Sequence, residues 1–550
     1  MHKLSFTLCF LLFFISIDVV YPQIKSPSFI PSKKDTLRGE FSRERSCYEV
    51  FYYDLNVKFD LKNKMLSGSN TVFFLTTTPT ACLQLDLFAN MFLDSIVYKA
   101  VRLNATRVLG TFYVHFPTPL DANKAESITV YYHGSPTVAA KPPWDGGIIW
   151  GKDPKHKPWV GMACEGLGTS SWWPCKDMQS DKPDSMQCVY EVPDGLACIG
   201  NGTFVSKKKS PHGYQKYTWK INYPISAYNV TFNIGDYRQF QYQHRYKQDS
   251  LATDFYVLPH QLTKAKKHFL QSDTILQVFE QLFGKYPFQK DGYALVASPY
   301  LGMEHQSAIA YGSEFKNGYL NTDFIILHET AHEWWGNHVA VDDMAEMWIS
   351  EAFATYSEWL YYEYLYGKKY VIPYALHQRK MIENKMPMLG VREVHFPSLE
   401  NIDIYYKGAW MLHTLRSWTN NDSLWFGSLH AIQDTFGMRT INTQILLEFM
   451  QRKLNIPLQI VANYYLTKTA IPIFEYELSS LIGEEYVFRY RWVVDNCPNF
   501  DLPIRLMLNG KEKLLPATAS WQSFIITNVE SKNILFRDGE YLVEFRRKEL

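Results

Sequence analysis

The chain has no Cys-x-x-Cys pair, no repeat of 20 to 50 residues and almost no net charge, and each absence excludes something. Without close cysteine pairs a structural zinc knuckle is ruled out. Without a repeat, solenoid and propeller arrays are ruled out. A net charge of +1 over 550 residues gives no basic footprint for nucleic acid and none for an anionic membrane surface. Long apolar runs are equally scarce. The longest, Leu4–Ile17, follows Lys3 and ends at Asp18, short of the roughly 20 residues that span a bilayer. It reads as the core of a secretory signal, which predicts an exported protein (periplasmic, cell-surface or secreted) with no membrane span once residues 1–22 are removed.

What is present is ordinary globular composition, 46% apolar and 20% charged, with length for about three or four domains. Residues 23–45 are rich in Pro, Ser and charge and read as a linker. From 46 to 250, short alternating runs such as "YEVFYYDLNVKFDL" and "YTWKINYP" predict an antiparallel β-sandwich. From 251 to 473 helical spacing dominates, beginning with "PHQLTKAKKHFLQSDTILQVFEQLFG" and broken by the strand-like "YALVASP". From 474 to 550 β character returns as a small C-terminal β domain. The expected class is α+β and multidomain.

Seven cysteines lie beyond Cys9, enough in an exported protein for three pairs and one free thiol. "VPDG" between Cys188 and Cys198 reads as a hairpin turn that would face the two thiols across adjacent strands. Asn-x-Ser/Thr sequons stand at Asn104, Asn201, Asn229 and Asn421.

Chemistry concentrates in "HETAHEWWGN", His328 to Asn337. Residues four apart share a helix face, so His328 and His332 can present nitrogen to one metal ion while Glu329 reaches a water beside it. A catalytic zinc takes three protein ligands and keeps a fourth position open. The first helix is expected to stop at Gly336–Asn337. A second runs from about Asp343 to Gly367 with a buried stripe of Trp348, Ile349, Ala352, Phe353, Tyr356 and Leu360, and Glu351 falls within it. A buried carboxylate needs a partner, and a metal supplies one. Glu358, two turns on, lies where it can hold a ligand histidine from behind.

These residues resemble the M1 family of zinc aminopeptidases, gluzincins that include aminopeptidase N and leukotriene A4 hydrolase. The pattern HExxHxWxGN is matched by His328, Glu329, His332, Trp334, Gly336 and Asn337, with eighteen residues between His332 and Glu351. Ser350 and Ala352 stand where Asn and Gly are usual. The resemblance implies one Zn2+ held by His328, His332 and Glu351, Glu329 as general base, and Tyr405 of "YYKGAW" as donor to the oxyanion. It implies that Gly302, Met303 and Glu304 of "GMEH" line the substrate, with Glu304 binding a free α-amine and His305 replacing the usual Asn. His305 is a residue that could titrate in the working range. Glu165 in "MACEGLGTSSWWPCKD" matches a sandwich loop whose acid or amide also binds the amine. The implied fold is an N-terminal β-sandwich, a thermolysin-like domain and a small C-terminal β-sandwich, without the large helical domain of many members. The implied activity is release of N-terminal residues from peptides. A zinc endopeptidase, a bifunctional epoxide hydrolase and peptidase, and a non-catalytic peptide-binding scaffold are the alternatives. Oligomeric state and the preferred first residue are left open.

Overall fold

The computed structural model describes residues 30–396, 398–481, 485–508, 510–527, 534–537 and 539–549. The signal segment 1–22, Cys9 and the first part of the linker lie outside them. Among the described residues no helix is long and apolar enough to cross a membrane.

The described part of the linker is folded rather than extended. Ser32 caps helix Lys33–Gly39 through a capping box with Asp35, and a second short helix spans Arg43–Ser46. Arg45 stands 2.5 Å from Asp86 with both side chains fully buried, so this segment is fastened to the sheet behind it. Breaking one side of such a pair leaves an unpaired buried charge, which is why the segment stays docked.

The N-terminal unit packs a ten-stranded sheet on a four-stranded one. Period-2 burial along Tyr48–Asp60 puts Leu55, Val57 and Phe59 inside, and Phe59 meets Phe232 of the opposite sheet at 4.4 Å between ring centres. Most pairings are antiparallel, but Tyr48–Asp60 runs parallel to Ser185–Pro193. The expected hairpin at "VPDG" does not form. Cys188 lies on Ser185–Pro193 in the large sheet, whereas Cys198 lies on Ala197–Gly200 in the small one. All seven described cysteines are free. Two of the sequons are also closed to modification in the fold. Asn201 Nδ2 donates to Asn229 O and Gln306 O, and Asn229 Nδ2 donates to Asn337 Oδ1.

The next unit begins with strand Arg238–Tyr246, ahead of the change in texture near residue 250. Its five-stranded sheet ends in Ile309–Tyr311 and the edge strand Gly302–Met303. The long helical stretch before Gly284 is two helices, Leu262–His268 and Gln271–Phe283, the second stopped by Gly284 at φ +102°. Helices Phe324–Ala331, Trp348–Tyr366 and Tyr406–Thr419 follow. Trp348–Tyr366 is buried on every side from Trp348 to Tyr362, not along one stripe. Ala352 packs most closely on Tyr406–Thr419, where a Cβ on Gly408 would fall 2.5 Å from the Ala352 Cβ. After Ile473 come a four-stranded and a three-stranded sheet, stacked through Tyr476 and Phe536.

Candidate active site

Helix Phe324–Ala331 starts at Asp323, whose side chain accepts from Ile325 N. Regular α geometry ends earlier than Gly336. His332 is the cap, and three wide-turn bonds follow: Asn337 N to His332 O, His338 N to Glu333 O, and Val339 N to Trp334 O. Such i to i−5 turns mark functional bends. Gly336 sits at φ +117°, where a Cβ would press on His332 Nδ1 and Ser350 Oγ at 3.3 Å. Glycine thus lets the second helix approach the histidine.

The three expected ligands converge. His328 Nε2 and His332 Nε2 are 3.2 Å apart, and Glu351 Oε2 lies 3.4 and 3.3 Å from them. Donors about 2.0 Å from a tetrahedral zinc are separated by roughly 3.3 Å, so this triangle has the right size. The outer nitrogens are engaged elsewhere, His328 Nδ1 with Glu358 Oε1 at 2.7 Å and His332 Nδ1 with Trp335 O at 2.9 Å. Both inner nitrogens are therefore left to face each other and Glu351. Glu351 Oε2 is buried with no hydrogen-bond donor among the described residues. The donor set fits one zinc ion.

The electrostatics say the same. Burial pulls His328 down, but Glu351 and Glu358 outweigh it and hold the imidazole well above its ordinary value. His332 goes up to about 8 against its own burial, chiefly through Glu351. Glu351 is held at about 2 because the two imidazoles outweigh its burial. Protons here take the place a dication would fill.

Glu329 is pushed up to about 8 by burial, with Glu304 and Glu351 adding to the effect and the two imidazoles opposing it. Gly302 explains how Glu329 fits: a Cβ there would fall 2.6 Å from Glu329 Oε1. Met303 is buried beside it on the same edge strand, paired with Ala310. Glu304 is buried, accepts from Tyr228 Oη at 3.1 Å, and is raised by burial and by Glu351. Glu165 arrives from the sandwich, just after strand Pro158–Ala163. Burial and then the charge of Glu304 raise it well above its ordinary value, and its Oε1 has no partner among the described residues. Its loop is pinned by Arg38 Nη2 on Leu167 O and His395 Nε2 on Gly166 O, at 2.6 and 2.8 Å. A cavity of about 260 Å³ opens beside Glu165 and Tyr228, bordered by Arg38, Asp177, Met344 and Arg392.

Tyr405 caps helix Tyr406–Thr419, with its ring centre 6.2 Å from that of His328. Burial and then Glu351 lift its phenol well above the ordinary value. Tyr406, its neighbour, instead feels the charge of Glu358. His305 is fully buried, and burial alone lowers its imidazole to about 3, so it is neutral in the working range and does not titrate there. Sequence reasoning missed Tyr228, which only the fold brings to Glu304, and Glu333, whose burial no local pattern signals.

His328 and His332 from one helix and Glu351 from a second thus form one cluster that could hold a metal ion, with the Glu329 carboxylate beside it. Residues 270–465 match the Peptidase family M1 domain. Mouse aminopeptidase B is 24% identical over 54% of this chain and 46% of its own length. Leukotriene A-4 hydrolase of Xenopus laevis is 24% identical over 73% of this chain and 68% of its own. The chain thus spans about half the length of the aminopeptidase B relatives it matches. The M1 zinc metallopeptidase of Deinococcus radiodurans superposes with a TM-score of 0.67 at 22% identity, covering 78% of this chain and 96% of that one, which establishes the fold.

Proposed function

We propose that the protein is a zinc aminopeptidase that removes single residues from peptides with a free N-terminal amine. The observation that carries this reading is the pairing of Glu304 and Glu165. Two carboxylates beyond those the metal requires are buried together, each raised by burial and Glu165 further by Glu304's charge. Such a pair gains most from an ammonium held between them. An amine anchored there sets the scissile carbonyl one residue away, toward His328, His332 and Glu351.

Zinc bound by those three would supply Lewis-acid polarisation of the carbonyl and acidify a water. The chain's own groups do the rest. Glu329 takes a proton from the attacking water and returns it to the leaving nitrogen. The Tyr405 hydroxyl donates to the oxygen on which negative charge develops. Among the described residues edge strand Gly302–Met303 pairs on one side only, and an extended substrate backbone can add to the other. Export is proposed from the leader alone.

One peptide in two forms, free and Nα-acetylated, tests the reading by mass spectrometry. Loss of single N-terminal residues from the free form only, abolished by a chelator, is expected. Internal cleavage of both forms would instead identify an endopeptidase. Zinc binding with no cleavage of either would leave a peptide-binding scaffold.

A further inference from the structure

The loop that follows Glu304 is held through its backbone. Glu304 O accepts from Asn337 Nδ2 at 2.8 Å, Gln306 O accepts from Asn201 Nδ2 at 2.8 Å, and Ser307 N donates to Glu333 Oε1 at 3.0 Å. Ser307 has φ +58°, a left-handed conformation that a non-glycine residue keeps only when its surroundings impose it. The side chains of His305 and Gln306 do not impose it. Both are fully buried, and none of their polar atoms has a partner among the described residues.

The sandwich holds the loop through Asn201 Nδ2 on Gln306 O and Gly202 N on Ser307 Oγ, and the turn that ends the helix of His328 holds it from the other side. Glu333, next to His332, is fully buried. Its Oε2 accepts from Tyr286 Oη at 2.7 Å, and its Oε1 is shared between Ser307 N and Asn337 Nδ2, the latter at 3.3 Å. Asn337 continues the chain of contacts into the sandwich. Its Oδ1 accepts from Asn229 Nδ2 and its carbonyl from Lys182 Nζ, both at 2.7 Å. Asn229 follows Tyr228, whose hydroxyl reaches Glu304 itself. Helix, loop and sandwich are therefore closed into one ring of hydrogen bonds around Glu304.

We infer that Glu333 and Asn337 are positioning residues that set where the Glu304 carboxylate stands relative to His328, His332 and Glu351. This rests on the aminopeptidase reading, in which that separation decides how far from the free amine the chain is cut. Glu333 acts through the Ser307 and Glu304 backbone, and the wide turn after His332 is what brings Asn337 back over the loop. A carboxylate suits position 333 because one group must accept from three donors at once, without water.

The test uses the full-length, zinc-loaded protein and an aminoacyl p-nitroanilide with a free amine. Wild type, Glu333→Ala, Glu333→Gln and Asn337→Ser are compared for zinc content, melting temperature, kcat and KM. Glu333→Ala and Asn337→Ser are expected to keep their zinc and raise KM about ten-fold or more, with kcat within about three-fold of wild type. Glu333→Gln, which keeps an acceptor for Ser307 N, should fall between. A purely structural role lowers the melting temperature and leaves KM alone. Wild-type KM in folded, zinc-loaded Glu333→Ala and Asn337→Ser overturns the inference, as does a fall of kcat together with zinc content at unchanged KM. If Glu333→Ala does not fold, Asn337→Ser decides by the same KM criterion. A wild type that binds zinc but releases no N-terminal residue overturns the aminopeptidase reading, and this inference with it.

Discussion

Glu358 Oε1 stands 2.7 Å from His328 Nδ1, on the side of the ring away from Glu351. The carboxylate engages Nδ1, so Nε2 is the nitrogen that faces His332 and Glu351. Glu358 is itself held by Tyr374 Oη at 2.6 Å and Gln378 Nε2 at 3.1 Å. Glu358→Ala is expected to weaken zinc binding about 10- to 100-fold, measured by chelator competition, with activity largely restored at saturating zinc. Unchanged zinc affinity would refute this account of the ligand's orientation.

Glu329 and Tyr405 should separate chemistry from metal binding. Glu329→Gln is expected to lower kcat about 10²- to 10⁴-fold with zinc content unchanged. Tyr405→Phe should cost about 10²- to 10³-fold in kcat. Tyr406→Phe, which alters the adjacent ring, should leave kcat near wild type. Equal losses for the two tyrosines would remove Tyr405 from the oxyanion role.

Gly302→Ala introduces a Cβ 2.6 Å from Glu329 Oε1 and 2.8 Å from Ile325 Cγ2. Both neighbours are side chains, so the fold should survive while the carboxylate is displaced. The expected result is a wild-type melting temperature and zinc content with kcat reduced at least about ten-fold. Full activity would mean that Glu329 can work from another rotamer.

His305 should make the protein acid-sensitive. Its folded-state value of about 3 lies below the ordinary 6.5, so the unfolded chain binds the proton first. Stability from the neutral ring is complete above pH 6.5 and is lost as pH falls from 6.5 toward 3. By pH 5 the loss is about 2 kcal/mol. His395 and His413, each lowered by burial to about 4, add slopes of the same sign. Urea unfolding of wild type and His305→Gln between pH 7 and 5 checks this: the variant should show the shallower decline. Parallel curves would mean that His305 is already charged, or solvated, in the fold.

The triad is legible in the sequence because it depends on short-range geometry. A spacing of four sets two histidines on one helix face, and Glu351 stands out as an acid amid Trp348, Ile349, Ala352 and Phe353. Glu358 can be placed by the same count of turns. Alternation and helical spacing likewise reveal the order β, then mainly α, then β, since each period reports its own element.

Other features depend on which distant segments meet, and spacing says nothing about that. Cys188 and Cys198, ten positions apart, go to different sheets. The turn between them hides this, because a hairpin and a crossing to the facing sheet use the same residue types. The segment before Cys47 looks like a polar linker, yet Arg45 finds Asp86 and becomes buried. His305 looks like a titrating ring until the fold removes its water. The pairing of Glu165 with Glu304 is the clearest case. Either one alone is an ordinary carboxylate, and only the packing of a sandwich loop against the edge of another sheet buries the two together. Local periodicity singled out His328, His332 and Glu351 in the sequence; long-range packing, by excluding water, decided what surrounds them.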